Sequence, residues 1–285
     1  MKKNILSLIS LGMLLFLGCS KEEKLPTDTI YGLGGYEYVK NDIDNFIHEN
    51  FVKPYNVEIK YRWEPAEVNF NKSIVPSREE KIKEMAQVIL KGWIEPYKAI
   101  AGDNFLRTYN FSKFYFAGSW EYNNNGTIVL GTAEGGVKIV ILGVNDLNTK
   151  DINNFTEYLY TIHHEFAHII HQTKFFPQEW RQIPGNAQWY TSTWANTSTP
   201  DAQKQGFVRN YAKLNPNEDF VETIAFLLVR GQEKYNLLKT NNPSVAATYQ
   251  QKEDIVVNYY KEVLNIDFRA LQVAVQEALQ EITKL

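Results

Sequence analysis

A histidine cluster near the middle of the chain constrains its fold and chemistry more than any other feature. Four of the five histidines lie within nine residues, and His164, Glu165 and His168 form the pattern H-E-x-x-H. On an α-helix, residues i and i+4 lie about 40° apart around the axis and about 6 Å apart along it. Two imidazoles at this spacing can bind one metal ion, and the glutamate between them can act as a general base.

Apolar residues surround these histidines on a helix that we predict over residues 151–172. They are Tyr158, Leu159, Ile162, Phe166, Ile169 and Ile170. Such a helix is largely buried, and buried imidazoles require polar partners. The alternative is a core helix whose histidines only hydrogen-bond. We favour a metal site, and zinc is the ion that best suits this pattern.

A catalytic zinc site usually has three protein ligands and one water, so a third ligand is needed. His171 lies seven residues after His164, on the same helix face but about 10.5 Å along the axis. An ion held between His164 and His168 would be awkward for His171 to reach. We therefore predict that His171 supports a ligand or lies at the cleft rim, with ligation as the alternative. His163 lies about 100° around the helix from His164, and we predict that it has a structural role or supports a ligand and is not itself a ligand.

A second helix carries the other candidate for the third ligand. Glu218 and Glu222, in the segment N-E-D-F-V-E, are four residues apart and share a helix face. The segment resembles the glutamate-ligand helix of gluzincin metallopeptidases, where one glutamate binds zinc and an acidic residue four positions later hydrogen-bonds a ligand histidine. The resemblance implies that Glu218 is the ligand and that Glu222 supports a histidine.

Two alternatives to this assignment stay open, since Glu222 could be the ligand or both acids could form a solvated helix start. Asp219 is expected to point elsewhere, toward the helix N-terminus. Tyr211 lies seven residues before Glu218. In the gluzincins related to anthrax lethal toxin, a tyrosine just upstream of the ligand glutamate hydrogen-bonds the oxyanion. This resemblance implies the same role for Tyr211, although a chain with 17 tyrosines makes coincidence the alternative.

The N-terminus has the pattern of a bacterial lipoprotein signal. Lys2 and Lys3 precede an apolar stretch, residues 5–17, that is short for a transmembrane helix. The only cysteine, Cys19, follows directly. We expect residues 1–18 to be a signal peptide, with lipid attached to Cys19 and residues 19–30 forming a tether. An ordinary secretory signal is the alternative, and a single cysteine excludes an intramolecular disulfide.

A short charged run, residues 20–24, follows Cys19 and resembles the surface-export signal of Bacteroidetes lipoproteins. The resemblance implies a lipid-anchored protein on the outer face of the outer membrane, and a plain solvated linker is the alternative. Removal of Lys2 and Lys3 with the signal changes the formal net charge from −3 to −5. This charge argues against nucleic acid and anionic membrane surfaces as partners.

The order of predicted elements indicates an α+β fold, with a small sheet packed on the H-E-x-x-H helix and a mostly helical C-terminal half. Ser77 and Glu80 form the pattern of a capping box for an amphipathic helix that ends before Pro96. We predict strands at residues 57–63, 113–118, 127–130 and 137–143. We predict further helices at residues 42–51, 201–214, 217–229, 245–264 and 268–282.

A loop rich in Trp, Thr, Asn, Pro and Gly is predicted over residues 175–199, where it could line a substrate cleft. It follows the H-E-x-x-H helix directly. A turn is predicted at residues 123–126, between two of the strands. We expect residues 31–285 to form one domain.

The lipoprotein signal, the segment H-H-E-F-A-H-I-I-H at residues 163–171 and the segment at residues 217–222 together resemble a known Bacteroidetes family. Its members are zinc-binding metallopeptidase lipoproteins, described as substrate-import-associated zinc metallohydrolases. The resemblance implies a zincin-like fold, Zn²⁺ as cofactor, and genes near a SusC-type TonB-dependent transporter and a SusD-like lipoprotein. It leaves the substrate open between peptides and glycoproteins.

The predicted function is hydrolysis of a peptide or other amide bond at a zinc site formed by His164, His168 and Glu218. Glu165 would accept the proton of the attacking water, and Tyr211 would stabilise the oxyanion. One alternative is a non-catalytic surface lipoprotein that captures a substrate and keeps a structural or degenerate zinc site. The presence of Glu165 argues against it, because a structural site needs no base. Another is a zinc hydrolase of non-peptide amides, which shares the same metal chemistry.

Overall fold

The computed structural model describes residues 39–69, 71–122, 128–129, 131–134, 138–183 and 189–285. The predicted signal peptide, Cys19, the tether and the turn at residues 123–126 lie outside these ranges. Residues 1–40 and Asn41–Leu285 form two units, and every element given below belongs to the second. Within the described ranges, no helix combines the length and the apolar character needed to cross a membrane.

A four-stranded sheet lies in the N-terminal half of the second unit. Its strand order is β1-β2-β6-β5, in which β1, β2 and β6 are parallel and β5 pairs antiparallel with β6. Two further short strands, β3 and β4, pair antiparallel with each other. The strands are β1 Glu58–Lys60, β2 Lys113–Phe116, β3 Glu121–Tyr122, β4 Ile128–Val129, β5 Gly131–Glu134 and β6 Lys138–Ile141.

Alternation along β2 and β6 directs side chains to the two faces of the sheet. Phe114 and Phe116 of β2 pair with Ile139 and Ile141 of β6, and all four belong to the main hydrophobic core. Tyr115 and its neighbours on the opposite face belong to a separate small cluster with Ile74. This division follows from the period of two in a β-strand, which gives one face to the core.

Helices form most of the described residues outside this sheet, so the predicted α+β fold with a mostly helical C-terminal half is confirmed. Among the described residues, three π-helical segments, His48–Val52, Leu90–Ile94 and Phe226–Arg230, continue α-helices. The α-helices are Asp42–Ile47, Lys53–Tyr55, Glu79–Ile89, Glu95–Ala101, Asp103–Tyr109, Ile152–Thr173, Thr199–Gln203, Pro216–Ala225, Gly231–Asn241, Ala246–Leu264 and Phe268–Ile282. Short 3₁₀ turns lie at Pro65–Glu67, Val144–Asp146, Gln178–Gln182, Trp194–Asn196, Asn210–Lys213 and Pro243–Val245.

The predicted helix over residues 201–214 is wrong for most of its length. Helix Thr199–Gln203 is short, and the chain then turns at Gly206, whose φ is +89°. The Lys252 ammonium donates to the Gly206 carbonyl oxygen at 2.8 Å, and Phe207 beside it is fully buried. These contacts, distant in sequence, stabilise a turn where local periodicity favours a helix.

The predicted capping box at Ser77 and Glu80 is also wrong. The helix begins at Glu79, and no side chain caps it. Instead, the Arg78 backbone N–H donates to Asn145 Oδ1 at 2.7 Å, so a residue distant in sequence holds the helix start. The helix also continues past Pro96, because the π-helical segment Leu90–Ile94 leads into Glu95–Ala101 and leaves the proline in its first turn.

Candidate metal centre

The helix Ile152–Thr173, here called the motif helix, carries the H-E-x-x-H pattern. Asp151 caps it by accepting the Asn153 N–H at 2.9 Å. The ring of Trp93 packs against Phe114 of β2 and Phe166 of the motif helix, with centroid distances of 5.9 and 5.1 Å. Trp93 therefore lies between the sheet and the motif helix and ties the two together.

Gly92 brings the preceding π-helical segment close to the motif helix. A Cβ added at Gly92 would lie 2.5 Å from Leu159 Cδ1, which is far inside normal contact distance. The absence of a side chain at this position therefore permits the close packing. On the same side, His163 Nε2 lies 3.1 Å from the Gly92 carbonyl oxygen, and burial lowers the pKa of His163 to about 4. His163 thus faces away from the histidines of the motif.

The helix Pro216–Ala225, here called the glutamate helix, approaches the other side of the motif helix. Asn215 caps it, because its Oδ1 accepts the backbone N–H groups of Asn217 and Glu218 at 2.8 and 3.1 Å. Trp180 donates its indole N–H to the Pro216 carbonyl oxygen at 3.1 Å and packs against Phe220. The buried Trp180 side chain therefore stabilises the start of the glutamate helix.

Three donor atoms from the two helices converge at one point. His164 Nε2 and His168 Nε2 each lie 3.2 Å from Glu218 Oε2. The side chains of His164, Glu165 and His168 also offer donor atoms that all lie within 4.8 Å of one another. The structure therefore brings together the three residues predicted as ligands and the predicted base, Glu165.

The pKa shifts in this cluster favour a positive charge between the two imidazole rings and the Glu218 carboxylate. Burial opposes protonation of His164, but its contacts with Glu218 and Glu222 outweigh burial and raise its pKa to about 10. Burial likewise disfavours the ionised form of Glu218, yet the hydrogen bonds from His164 and His168 lower its pKa to about 2. A proton or a divalent cation can meet this demand, and two imidazoles with one carboxylate suit Zn²⁺. The residues present therefore fit zinc.

The Nδ1 atoms of His164 and His168 face away from Glu218, and each contacts another side chain. Glu222 Oε1 lies 3.0 Å from His164 Nδ1, and His171 Nε2 lies 2.9 Å from His168 Nδ1. The two nitrogens of an imidazole point to different sides of the ring, so these contacts lie behind the convergence point. The geometry favours orienting contacts for Glu222 and His171 over ligation.

Glu165 and Tyr211 flank the cluster. Burial raises the pKa of Glu165, which brings a carboxylate closer to the range of a useful base. The Tyr211 ring centroid lies 5.9 Å from that of His164, and Trp194 packs edge-on against Tyr211 at 4.9 Å. Burial also raises the pKa of Tyr211, so its hydroxyl is protonated at neutral pH and can donate a hydrogen bond. The roles of both residues stay predictions.

The segment predicted as a cleft-lining loop, residues 175–199, divides into different environments. Phe176 and Trp180 are buried beneath the glutamate helix and belong to the core. Trp194 lies against Tyr211, and Phe176 also contacts His171. Residues 184–188 lie outside the described residues.

Asp219 occupies a position that the sequence did not reveal. It does not point to the helix N-terminus, because Asn215 provides the cap. Its side chain is fully buried and Oδ1 lies 2.7 Å from Lys252 Nζ. The expectation for Asp219 is therefore corrected to an ion pair in the core, directly beside Glu218.

Two further residues near the cluster were missed in the sequence. Tyr160 donates to Glu222 Oε2 at 2.8 Å, and Arg209 Nε lies 3.8 Å from the same oxygen. A signal for Tyr160 was present, since it lies four residues before His164 and so shares its helix face. Arg209 had no local signal, because it lies in an irregular segment.

Comparisons with known proteins agree with this geometry. Residues 37–269 match a protein family described as "putative zinc-binding metallo-peptidase". The chain is also similar to a crystal structure of a putative zinc-binding metallo-peptidase from Bacteroides caccae, with 30% sequence identity and a TM-score of 0.75. The similarity covers 85% of this chain and 93% of that chain. No curated protein matches the chain.

Proposed function

Since the chain belongs to the family described as putative zinc-binding metallo-peptidases, we propose that it is a zinc-dependent hydrolase of peptide bonds. The family and the zinc cofactor predicted from the sequence are confirmed by these matches. The observation that carries the proposal is the convergence of His164 Nε2 and His168 Nε2 on Glu218 Oε2, next to Glu165.

In this proposal His164, His168 and Glu218 hold the ion. A zinc ion held there would supply Lewis-acid chemistry toward a water and the substrate carbonyl. Glu222 and His171 hold the two histidines through their Nδ1 atoms, which keeps both Nε2 atoms turned toward Glu218.

The remaining steps belong to side chains of the chain itself. Glu165 accepts a proton from the attacking water and passes it to the leaving nitrogen. Tyr211 donates its hydroxyl to the oxygen that gains negative charge as the carbonyl is attacked. Its packing against Trp194 supports this role, because a ring held on one side has fewer orientations.

The alternative of a non-catalytic capture protein with a closed site is less well supported. Such a site would need a fourth protein ligand, and His171 was the candidate. His171 Nε2 faces His168 Nδ1 rather than the convergence point, so three ligands leave a position for water.

Metal content tests the ligand assignment. We expect about one zinc per chain in the wild-type protein, prepared as the soluble form from Ser20, because the site has one set of ligands. Glu218→Ala should lose the metal, since it removes the oxygen on which both imidazoles converge, whereas His171→Ala should keep it. Mass spectrometry of the three purified proteins measures this. Loss of zinc in His171→Ala would overturn the assignment, and zinc-free wild type would support the capture-protein alternative.

We also propose that the mature protein is anchored to the outer membrane by lipid on Cys19 and faces the cell exterior. Its proposed substrates are peptides or glycoproteins, handed to an adjacent SusC/SusD-like TonB-dependent importer. The apolar N-terminal stretch, Cys19 and the charged run after it support the anchor and the location.

Replacing Cys19 tests the anchor. In a Bacteroidetes host we expect the wild-type protein in the outer-membrane fraction, labelled by a palmitate analogue and accessible to antibody on intact cells. Cys19→Ala should be unlabelled and should leave the membrane fraction, because a lipid chain needs that residue. A Cys19→Ala protein that fractionates with the membrane would count against lipid anchoring.

A further inference from the structure

Tyr160 lies in the interior of the protein, one helical turn before His164. It is only 2% exposed, and its hydroxyl is 2.8 Å from Glu222 Oε2 and 3.1 Å from the Glu222 carbonyl oxygen. The other carboxylate oxygen, Oε1, lies 3.0 Å from His164 Nδ1. The Glu222 carboxylate is therefore held between Tyr160 and His164.

Two arginines hold the ring of Tyr160 in turn. The guanidinium carbons of Arg209 and Arg230 lie 4.7 and 5.4 Å from its ring centroid, within the range of a cation–π contact. Arg230 also donates to Thr156 Oγ1 at 3.1 Å and pairs with Glu157, both on the motif helix. The tyrosine is thus fixed at its ring by one set of contacts and at its hydroxyl by Glu222.

The terminal torsion of a glutamate side chain adopts a broad range of angles, so one hydrogen bond alone leaves its carboxylate free to turn. Contacts at both oxygens remove that freedom. A fixed Oε1 then faces His164 Nδ1 at ion-pair distance, although the angle is not that of a hydrogen bond, while His164 Nε2 lies 3.2 Å from Glu218 Oε2. Outer contacts of this kind orient the ligand ring and raise metal affinity.

We propose that Tyr160 is a positioning residue of the metal centre, whose hydroxyl fixes Glu222 so that Glu222 can orient His164. This inference rests on the proposed function, because it requires His164 to be a zinc ligand. Tyr160 acts through two other side chains and needs no contact with zinc or substrate.

Tyr158 offers a matched control on the same helix. It is 1% exposed, and its hydroxyl donates to the Gly143 carbonyl oxygen at 2.8 Å. Tyr158→Phe and Tyr160→Phe each delete one buried hydroxyl with an acceptor at 2.8 Å, which is a neutral carbonyl oxygen for Tyr158 and a carboxylate oxygen for Tyr160. They differ in that only Tyr160 contacts the partner of His164.

The test is the zinc dissociation constant of the purified protein, measured by competition with a chromophoric chelator. We expect Tyr160→Phe to bind zinc about 10- to 100-fold more weakly than wild type, and Tyr158→Phe to bind it with unchanged affinity. Urea unfolding of the metal-free proteins should show a loss of stability for both variants, and a larger one for Tyr160→Phe, because its hydroxyl bonds a carboxylate whereas that of Tyr158 bonds a neutral carbonyl.

A double variant separates positioning from a general structural effect. If Tyr160 acts through Glu222, adding Tyr160→Phe to Glu222→Ala should weaken zinc binding no further. Unchanged affinity in Tyr160→Phe, equal weakening in both tyrosine variants, or fully additive effects in the double variant would each overturn the inference while the zinc site stands. A wild-type protein that binds no zinc would instead overturn the proposed function, and the inference with it.

Discussion

Replacing Glu165 by glutamine is expected to abolish peptide hydrolysis and to leave the zinc content unchanged. Glutamine has nearly the same shape, but its amide cannot accept a proton from the attacking water. General-base catalysis contributes about 10²- to 10⁴-fold to a rate, so kcat/KM should fall by at least that factor. A fluorogenic peptide library followed by mass spectrometry of the metal measures both quantities on one preparation.

His168→Ala serves as the control for this variant. It removes one of the two imidazoles that converge on Glu218 and should lose metal and activity together. The contrast matters because inactivity with metal retained identifies a role in chemistry, whereas inactivity with metal lost identifies a role in binding. A fully active Glu165→Gln protein would show that another group accepts the proton.

The second large effect is expected on stability, at the buried ion pair that joins Asp219 of the glutamate helix to Lys252. Lys252 Nζ lies 2.7 Å from Asp219 Oδ1, and both side chains are 0% exposed. Tyr190 donates its hydroxyl to Asp219 Oδ2 at 2.9 Å, and Lys252 also donates to the Gly206 carbonyl oxygen. Burial raises the pKa of Asp219 and lowers the pKa of Lys252, so each charge depends on the other.

We expect Lys252→Met to lower the free energy of unfolding by about 3–5 kcal/mol, because it leaves a buried carboxylate without its cation. The double variant Lys252→Met/Asp219→Leu should recover most of this loss, since two apolar side chains leave no buried charge. Urea unfolding of the metal-free proteins provides the measurement. A loss below about 1 kcal/mol in Lys252→Met would show that the ion pair does not hold this region.

Lys204→Met provides a surface comparison for the same experiment. Lys204 pairs with Asp201 at 2.9 Å, but both side chains are more than half exposed. Exposed pairs are screened by water and contribute little, so its unfolding curve should resemble that of wild type. Zinc affinity should also fall in Lys252→Met but not in Lys204→Met, because Asp219 is the direct neighbour of Glu218.

Residues brought together by one helical turn were predictable from the sequence. His164 and His168 share a face of the motif helix, and Glu218 and Glu222 share a face of the glutamate helix. Each pair depends only on the 3.6-residue period of the α-helix, which is set by the backbone. Three strands of the four-stranded sheet, β1, β2 and β6, were also predicted, with ends up to three residues too far out, whereas β5 at Gly131–Glu134 was missed.

Local patterns failed where a distant residue competes with them. Asn145 holds the chain before the helix at Glu79, so the expected cap at Ser77 does not form. Lys252 stabilises the turn at Gly206 and interrupts the helix predicted there. In both cases a tertiary hydrogen bond outweighs a local preference, which is weak by comparison.

The sequence by itself determined which residues could bind a metal and which helix face would carry them, because both follow from residue type and spacing within one helix. Only the tertiary structure decided that Glu218 contacts the two Nε2 atoms, that Glu222 contacts His164 Nδ1 and that Tyr160 bonds Glu222. It also paired Asp219 with Lys252. These contacts join segments far apart in the chain, and their geometry depends on how the helices pack around the shared core rather than on any local period.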